Sequence, residues 1–159
     1  MATDHTGFML ELSDAQNADK SEVTTWINNL NTYQDEYIVE QLAYYICSAL
    51  IKVCIGQPWF KEKFIMVFKK LYNANSNSVY ILLLIDEAQH TINKLQQLKQ
   101  LIENTKETEP SPKYNDVTNK NYALAWCNLN NVMYNLKNVL EQPNPFSGTT
   151  ATACCFQTK

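Results

Sequence analysis

Arginine is absent from this chain of 159 residues and glycine nearly so: all 13 cationic side chains are lysines, and the glycines are Gly7, Gly56 and Gly148. Without arginine there is no guanidinium fork to grip a carboxylate or phosphate with two parallel hydrogen bonds. Three scattered glycines leave no loop whose backbone can close around a phosphate, which argues against nucleotide-binding α/β folds. The 16 acidic residues outnumber the lysines, and a net charge of -3 repels a polyanion, so no nucleic-acid partner is expected. Asparagine, by contrast, occurs 18 times. Abundant Asn and Lys with no Arg is the mark of an AT-rich genome and carries no information on mechanism.

The five cysteines, Cys47, Cys54, Cys127, Cys154 and Cys155, are odd in number and contain no C-x-x-C pair. Cys47 and Cys54 lie in an apolar segment and read as small buried hydrophobes, which suits a reduced, intracellular protein. No basic segment leads into an apolar N-terminal stretch, so no signal peptide is expected. The longest apolar region, Leu42 to Ile55, is interrupted by Lys52 and falls short of the ~20 residues that cross a bilayer, so no membrane partner is expected either. Cys155 stands too far from the end to form a prenylation box.

Periodicity points to helices throughout. Residues 1–20 read as an N-terminal arm whose apolar cluster, Phe8 to Leu12, packs onto a body at 21–142; residues 143–159 read as a disordered tail. Ser21 is the expected cap of a first helix carrying Val23, Trp26, Ile27 and Leu30. A second, Asp35 to about Ile55, is apolar nearly all round and so belongs at the centre of the fold. Gly56 is the expected stop, and Pro58 suits the first turn of a third helix with an inward stripe of Phe60, Phe64, Val67, Phe68 and Leu71. A fourth begins near Val79 and continues through Ala88, Ile92, Leu95 and Ile102. Thr105 to Asp116, with two prolines, reads as a loop. A fifth, Thr118 to Gln142, repeats apolar residues every three or four positions. The expected fold is all-α: one domain, a mostly antiparallel bundle of about five helices with flexible ends.

The string Ile81-Leu82-Leu83-Leu84-Ile85-Asp86-Glu87-Ala88-Gln89 resembles the apolar strand and acidic box of helicases and AAA-type ATPases. That resemblance implies a magnesium ligand at Asp86 and a water-polarising Glu87. It also requires a glycine-rich G-K-[ST] loop upstream, and no glycine lies between Gly56 and Gly148. On a helix, Glu87, His90 and Lys94 instead share a solvated face. Glu87-x-x-His90 has the spacing of di-iron bundle proteins, but the second Glu-x-x-His is missing, since the other histidine is His5 in the arm. No metal or other cofactor is therefore expected. A metal-dependent or Cys/His enzyme centred on Glu87 and His90, with Cys127 as nucleophile, stands as the alternative class.

Binding features are more numerous. Trp59 and Met66, flanked by Lys63 and Lys70, lie away from the Phe stripe and form a candidate hot spot, which an arm or neighbouring helix could equally cover. Asn128, Asn131, Asn135 and Asn138 form an amide stripe along the fifth helix. Val79, Tyr80 and Leu83 head an apolar run that offers a dimer seam. The sequence thus points to a non-enzymatic protein-binding module, an inhibitor or adaptor in the cytoplasm or delivered into a host cytoplasm as a pathogen or viral effector. A structural homodimer is the third reading.

Overall fold

The computed structural model describes residues 5–108 and 116–139, with side chains over 5–101, 123–134, 136 and 137. Among the described residues there are six helices and no strand: α1 (His5–Asp14), α2 (Lys20–Leu30), α3 (Glu36–Cys54), α4 (Phe60–Ala74), α5 (Val79–Thr108) and α6 (Asp116–Val139). The extra helix is the N-terminal arm. Its Phe8 and Leu12, one turn apart on the same face, are buried, so the arm gains more as a docked helix than as a loose strap. The tail expected at 143–159 lies outside the described residues.

Helix α3 is the hub. Leu42, Ala43, Ile46, Cys47, Ala49, Leu50, Ile51 and Cys54 are all buried, which spreads apolar surface over well more than half its circumference. Four neighbours, α1, α2, α4 and α5, cover it. Among the described residues it is the one helix long and apolar enough to cross a membrane by length and composition, and its neighbours bury 44% of that stretch. Helix α6 completes a ring by packing on both α4 and α5. Seven residues separate Thr108 from Asp116 and reach at most about 28 Å, too short to run back beside a helix ~36 Å long, so α5 and α6 are antiparallel. Helices α3 and α5 are parallel, because Glu40 meets Ser78 while Ser48, further along α3, meets Glu87, further along α5.

The helix starts are set by side chains. Asp19 and Glu22 form a reciprocal capping box on α2, two residues ahead of the expected Ser21. The Asp35 carboxylate accepts from the amides of Tyr37 and Ile38 at 2.9 and 3.2 Å and opens α3. Ser78 Oγ accepts from Tyr80 N at 3.1 Å at the start of α5.

The end of α3 falls where it is expected, but what holds it there differs. Helix α3 stops at Cys54 with Ile55 as its cap, so Gly56 follows directly after it as expected, although no described glycine adopts a left-handed conformation; Pro58 lies in the connector, two residues before α4. The Asn128 side-chain amide, buried on α6, instead donates to Ile55 O at 3.0 Å and Gln57 O at 2.9 Å. Carbonyls at a helix end lack intrahelical donors, and this one amide from a distant helix satisfies the carbonyl of the cap, Ile55, and joins the Phe60 amide on that of Gln57 in the connector. Asn128 is therefore part of the core frame, and Asn131, the other described member of the amide stripe, is buried rather than outward, while the side chains of Asn135 and Asn138 lie outside the described residues. The loop expected from Thr105 is also displaced, since α5 continues to Thr108.

Two outcomes follow for stability. Asn128→Ala removes the donor to Ile55 O and leaves Gln57 O with the Phe60 amide alone, and should cost about 1 to 2 kcal/mol in urea unfolding; a loss under about 0.5 kcal/mol would mean that solvent replaces the clamp. Cys54 is fully buried, its thiol directed at Ala18 O, and burial, with the Glu22 charge adding to it, pushes its pKa up to about 11 from an ordinary 9.0. The folded state thus favours the neutral thiol. Its contribution is complete below pH 9 and is lost as pH rises from 9 toward 11, so the urea midpoint should fall across that window, and less steeply in Cys54→Ala.

Candidate interaction surface

Seven consecutive apolar residues, Val79 to Ile85, make nearly two turns of helix and therefore cover every side of it. Only some of those sides find a neighbour. Ile81 and Leu84 enter the core, and Ile85 is half-buried. Tyr80 turns toward α3 and stacks on Tyr44 with ring centroids 4.7 Å apart. Val79, Leu82 and Leu83 remain outward, 61%, 54% and 42% exposed. Two of the three expected seam residues, Val79 and Leu83, are thus available, and Leu82 joins them; Tyr80 is used inside the molecule.

This apolar shelf stands on a rigid base. Ser78 Oγ donates to the Glu40 carboxylate while capping α5, and Asn75 Nδ2 donates to the same carboxylate at 3.5 Å. One turn and two turns along from Glu40 on the same side of α3 come Tyr44 and Ser48. Both donate to Glu87, Ser48 at 2.8 Å. Burial, followed by the Glu87 carboxylate beside it, raises the Tyr44 phenol far above its ordinary range and keeps its proton available for that bond. Glu87 is therefore not on a solvated face, as its spacing with His90 and Lys94 implied, but is turned against α3. His90 and Lys94 are exposed. Among the described residues no three of His, Cys, Asp or Glu converge as a metal-ligand set. Burial and Glu87 also raise the Cys47 thiol, which makes it a poor nucleophile.

The Trp59 and Met66 pair is divided. Trp59 is half-buried and lines a recess of about 280 Å³ with Ala18, Asp19, Lys20 and Gln57, so the connector between α1 and α2 covers it. Met66, 43% exposed, lines a separate recess of about 400 Å³ with Lys61, Glu62, Ile65 and Lys69. Lys63 and Lys70 line neither. The cause is helical phase: residues seven apart nearly repeat in angle, but Trp59 precedes the first turn of α4 and follows the connector rather than the helix.

Sequence reasoning did not single out Leu82, Tyr44, Ser48 or Glu40. The Glu40-Tyr44-Ser48 row, with its four-residue steps, was visible in the sequence; that it faces Glu87 depends on α3 and α5 being parallel. No family model, no curated protein and no solved structure matches this chain.

The Tyr44 to Glu87 bond is testable as a pair. Tyr44→Phe and Glu87→Gln should each destabilise by about 1 to 2 kcal/mol, with a coupling energy near 1 kcal/mol in a double-mutant cycle. Strict additivity would show that the two side chains act separately in solution.

Proposed function

We propose that this chain is a non-enzymatic helical module that binds and regulates another protein, as an inhibitor or adaptor, and that it does so through the start of α5. The observation carrying this reading is the contiguous exposure of Val79, Leu82 and Leu83 on the first two turns of a helix whose start is held by Ser78 and Glu40. Exposed apolar side chains on an ordered surface gain free energy when a partner removes them from water. A base that is already ordered spares much of the entropy that binding otherwise costs. The same residues favour a second reading, a homodimer through this seam.

Affinity capture from the cell that produces the chain separates these. Wild type and Met66→Asp should recover the same partner, whereas Leu82→Asp/Leu83→Asp should lose it. Equal recovery by all three would remove the α5 surface from the reading. Light scattering over a dilution series should show a monomer; a dimer abolished by the double substitution would favour the homodimer.

A further inference from the structure

We infer that the shelf at the start of α5 is covered, until a partner displaces it, by the chain's own segment after Val139, with Phe146 as its anchor. The regulatory meaning of that contact rests on the protein-binding reading above. Its basis is the place to which α6 delivers the chain. Ser48 meets Glu87, so Ile55, seven residues further along α3, is level with Lys94 on the parallel α5. Asn128 holds Ile55 O and fixes the same level on α6. Val139 lies eleven residues beyond Asn128, and eleven residues back from Lys94 on the antiparallel α5 is Leu83. Helix α6 packs on α5, so Val139 arrives beside the shelf, about one interhelical spacing of 8–10 Å away.

The shelf faces that arrival. In the ring of α3, α4, α6 and α5, helix α5 has α3 on one flank and α6 on the other. Tyr80 and Glu87 turn toward α3, and Leu82 stands roughly 150° round the helix from them, toward the flank of α6. Phe146 is seven residues past Val139, within about 24 Å of extended chain, so it reaches Leu82 and Leu83 with length to spare. The twenty residues after Val139 carry two charges, Glu141 and Lys159, so the segment can lie on apolar surface without desolvating an ion. Pro143 and Pro145 restrict its backbone and reduce the entropy lost on docking. Area decides between this occupant and a second copy. Val79, Leu82 and Leu83 offer on the order of 300 Å², against about 800 Å² that each partner gives up in a standard stable interface. A shelf that small holds an untethered molecule weakly. A tethered segment acts at an effective concentration of about 1 mM, at which millimolar affinity already fills half the sites. A partner with a larger footprint outcompetes it.

Carbene footprinting of the full chain, read by mass spectrometry, tests the contact. Labelling of Val79, Leu82 and Leu83 should rise about threefold from wild type to Phe146→Asp, as for a shelf covered about two-thirds of the time. Leu101, 55% exposed on the far half of α5, should label equally in both. Leu82→Asp/Leu83→Asp should in turn raise labelling at Phe146, and each variant should keep the wild-type circular dichroism melt. An intramolecular contact is independent of concentration, so the wild-type pattern should hold over about a hundredfold dilution. Shelf labelling that rises on dilution would mean that a second copy covers it and would overturn the proposal. Equal shelf labelling in wild type and Phe146→Asp overturns it as well, whatever partner capture shows. In capture, Phe146→Asp should recover severalfold more partner than wild type; equal recovery overturns displacement by a partner. If the footprint changes as expected but Leu82→Asp/Leu83→Asp captures partner undiminished, the protein-binding reading falls while the segment on the shelf stands.

Discussion

The requirement to cover helix α3 organises this molecule. Fully burying a side chain such as Leu42, Ile46 or Leu50 is worth roughly 2 kcal/mol, and α3 carries such residues on several sides at once. One partner helix can dry only one stripe, so a helix of this composition needs several neighbours. The arm folds into α1 for that reason, α4 returns directly along α3, and α5 runs parallel to it. Apolar burial is non-directional, however, and would tolerate sliding of one helix on another.

Register comes from a few polar groups at the edges of the core. Glu40 with Ser78 and Glu87 with Tyr44 and Ser48 tie α3 to α5 at two levels, and Asn128 ties α6 to the turn between α3 and α4. Sliding by a residue would leave these groups partly desolvated without partners, a larger loss than the bonds themselves gain. The three ties join segments dozens of residues apart. They distinguish this arrangement from other packings with the same apolar contacts.

That division explains what the sequence made legible. The centrality of α3, the Phe60-Phe64-Phe68 stripe and the continuation of α5 through Ala88 and Ile92 are periodic features, and periodicity is local. The caps were partly legible, since Asp19 and Glu22 have capping-box spacing. The role of Asn128 was not: an Asn beside other Asn residues on a helix reads as surface until its angular position meets a particular turn. Glu87 was misread for the same reason, because its helix face was legible but the neighbour on that face was not. Trp59 shows the limit from the other side, since helical phase was extended one residue beyond where the helix begins. In the candidate surface, Val79 and Leu83 were visible as members of an apolar run too long for one face. Which members would remain outside depended on the position of α3.

The exposed shelf is thus a consequence of the run's length together with the polarity of its base. A helix start that carried only Ile81, Leu84 and Ile85 as apolar residues would satisfy the core. Val79, Leu82 and Leu83 add nothing to that packing, and solvent-facing leucines at the head of a helix favour aggregation unless something counters them. On α5 the shelf is followed within a turn by the polar residues Asp86 and Glu87, which end the apolar run and confine it to the first two turns of the helix. The parallel course of α3 and α5 therefore decides which members of the run meet a neighbour and which stay in solvent.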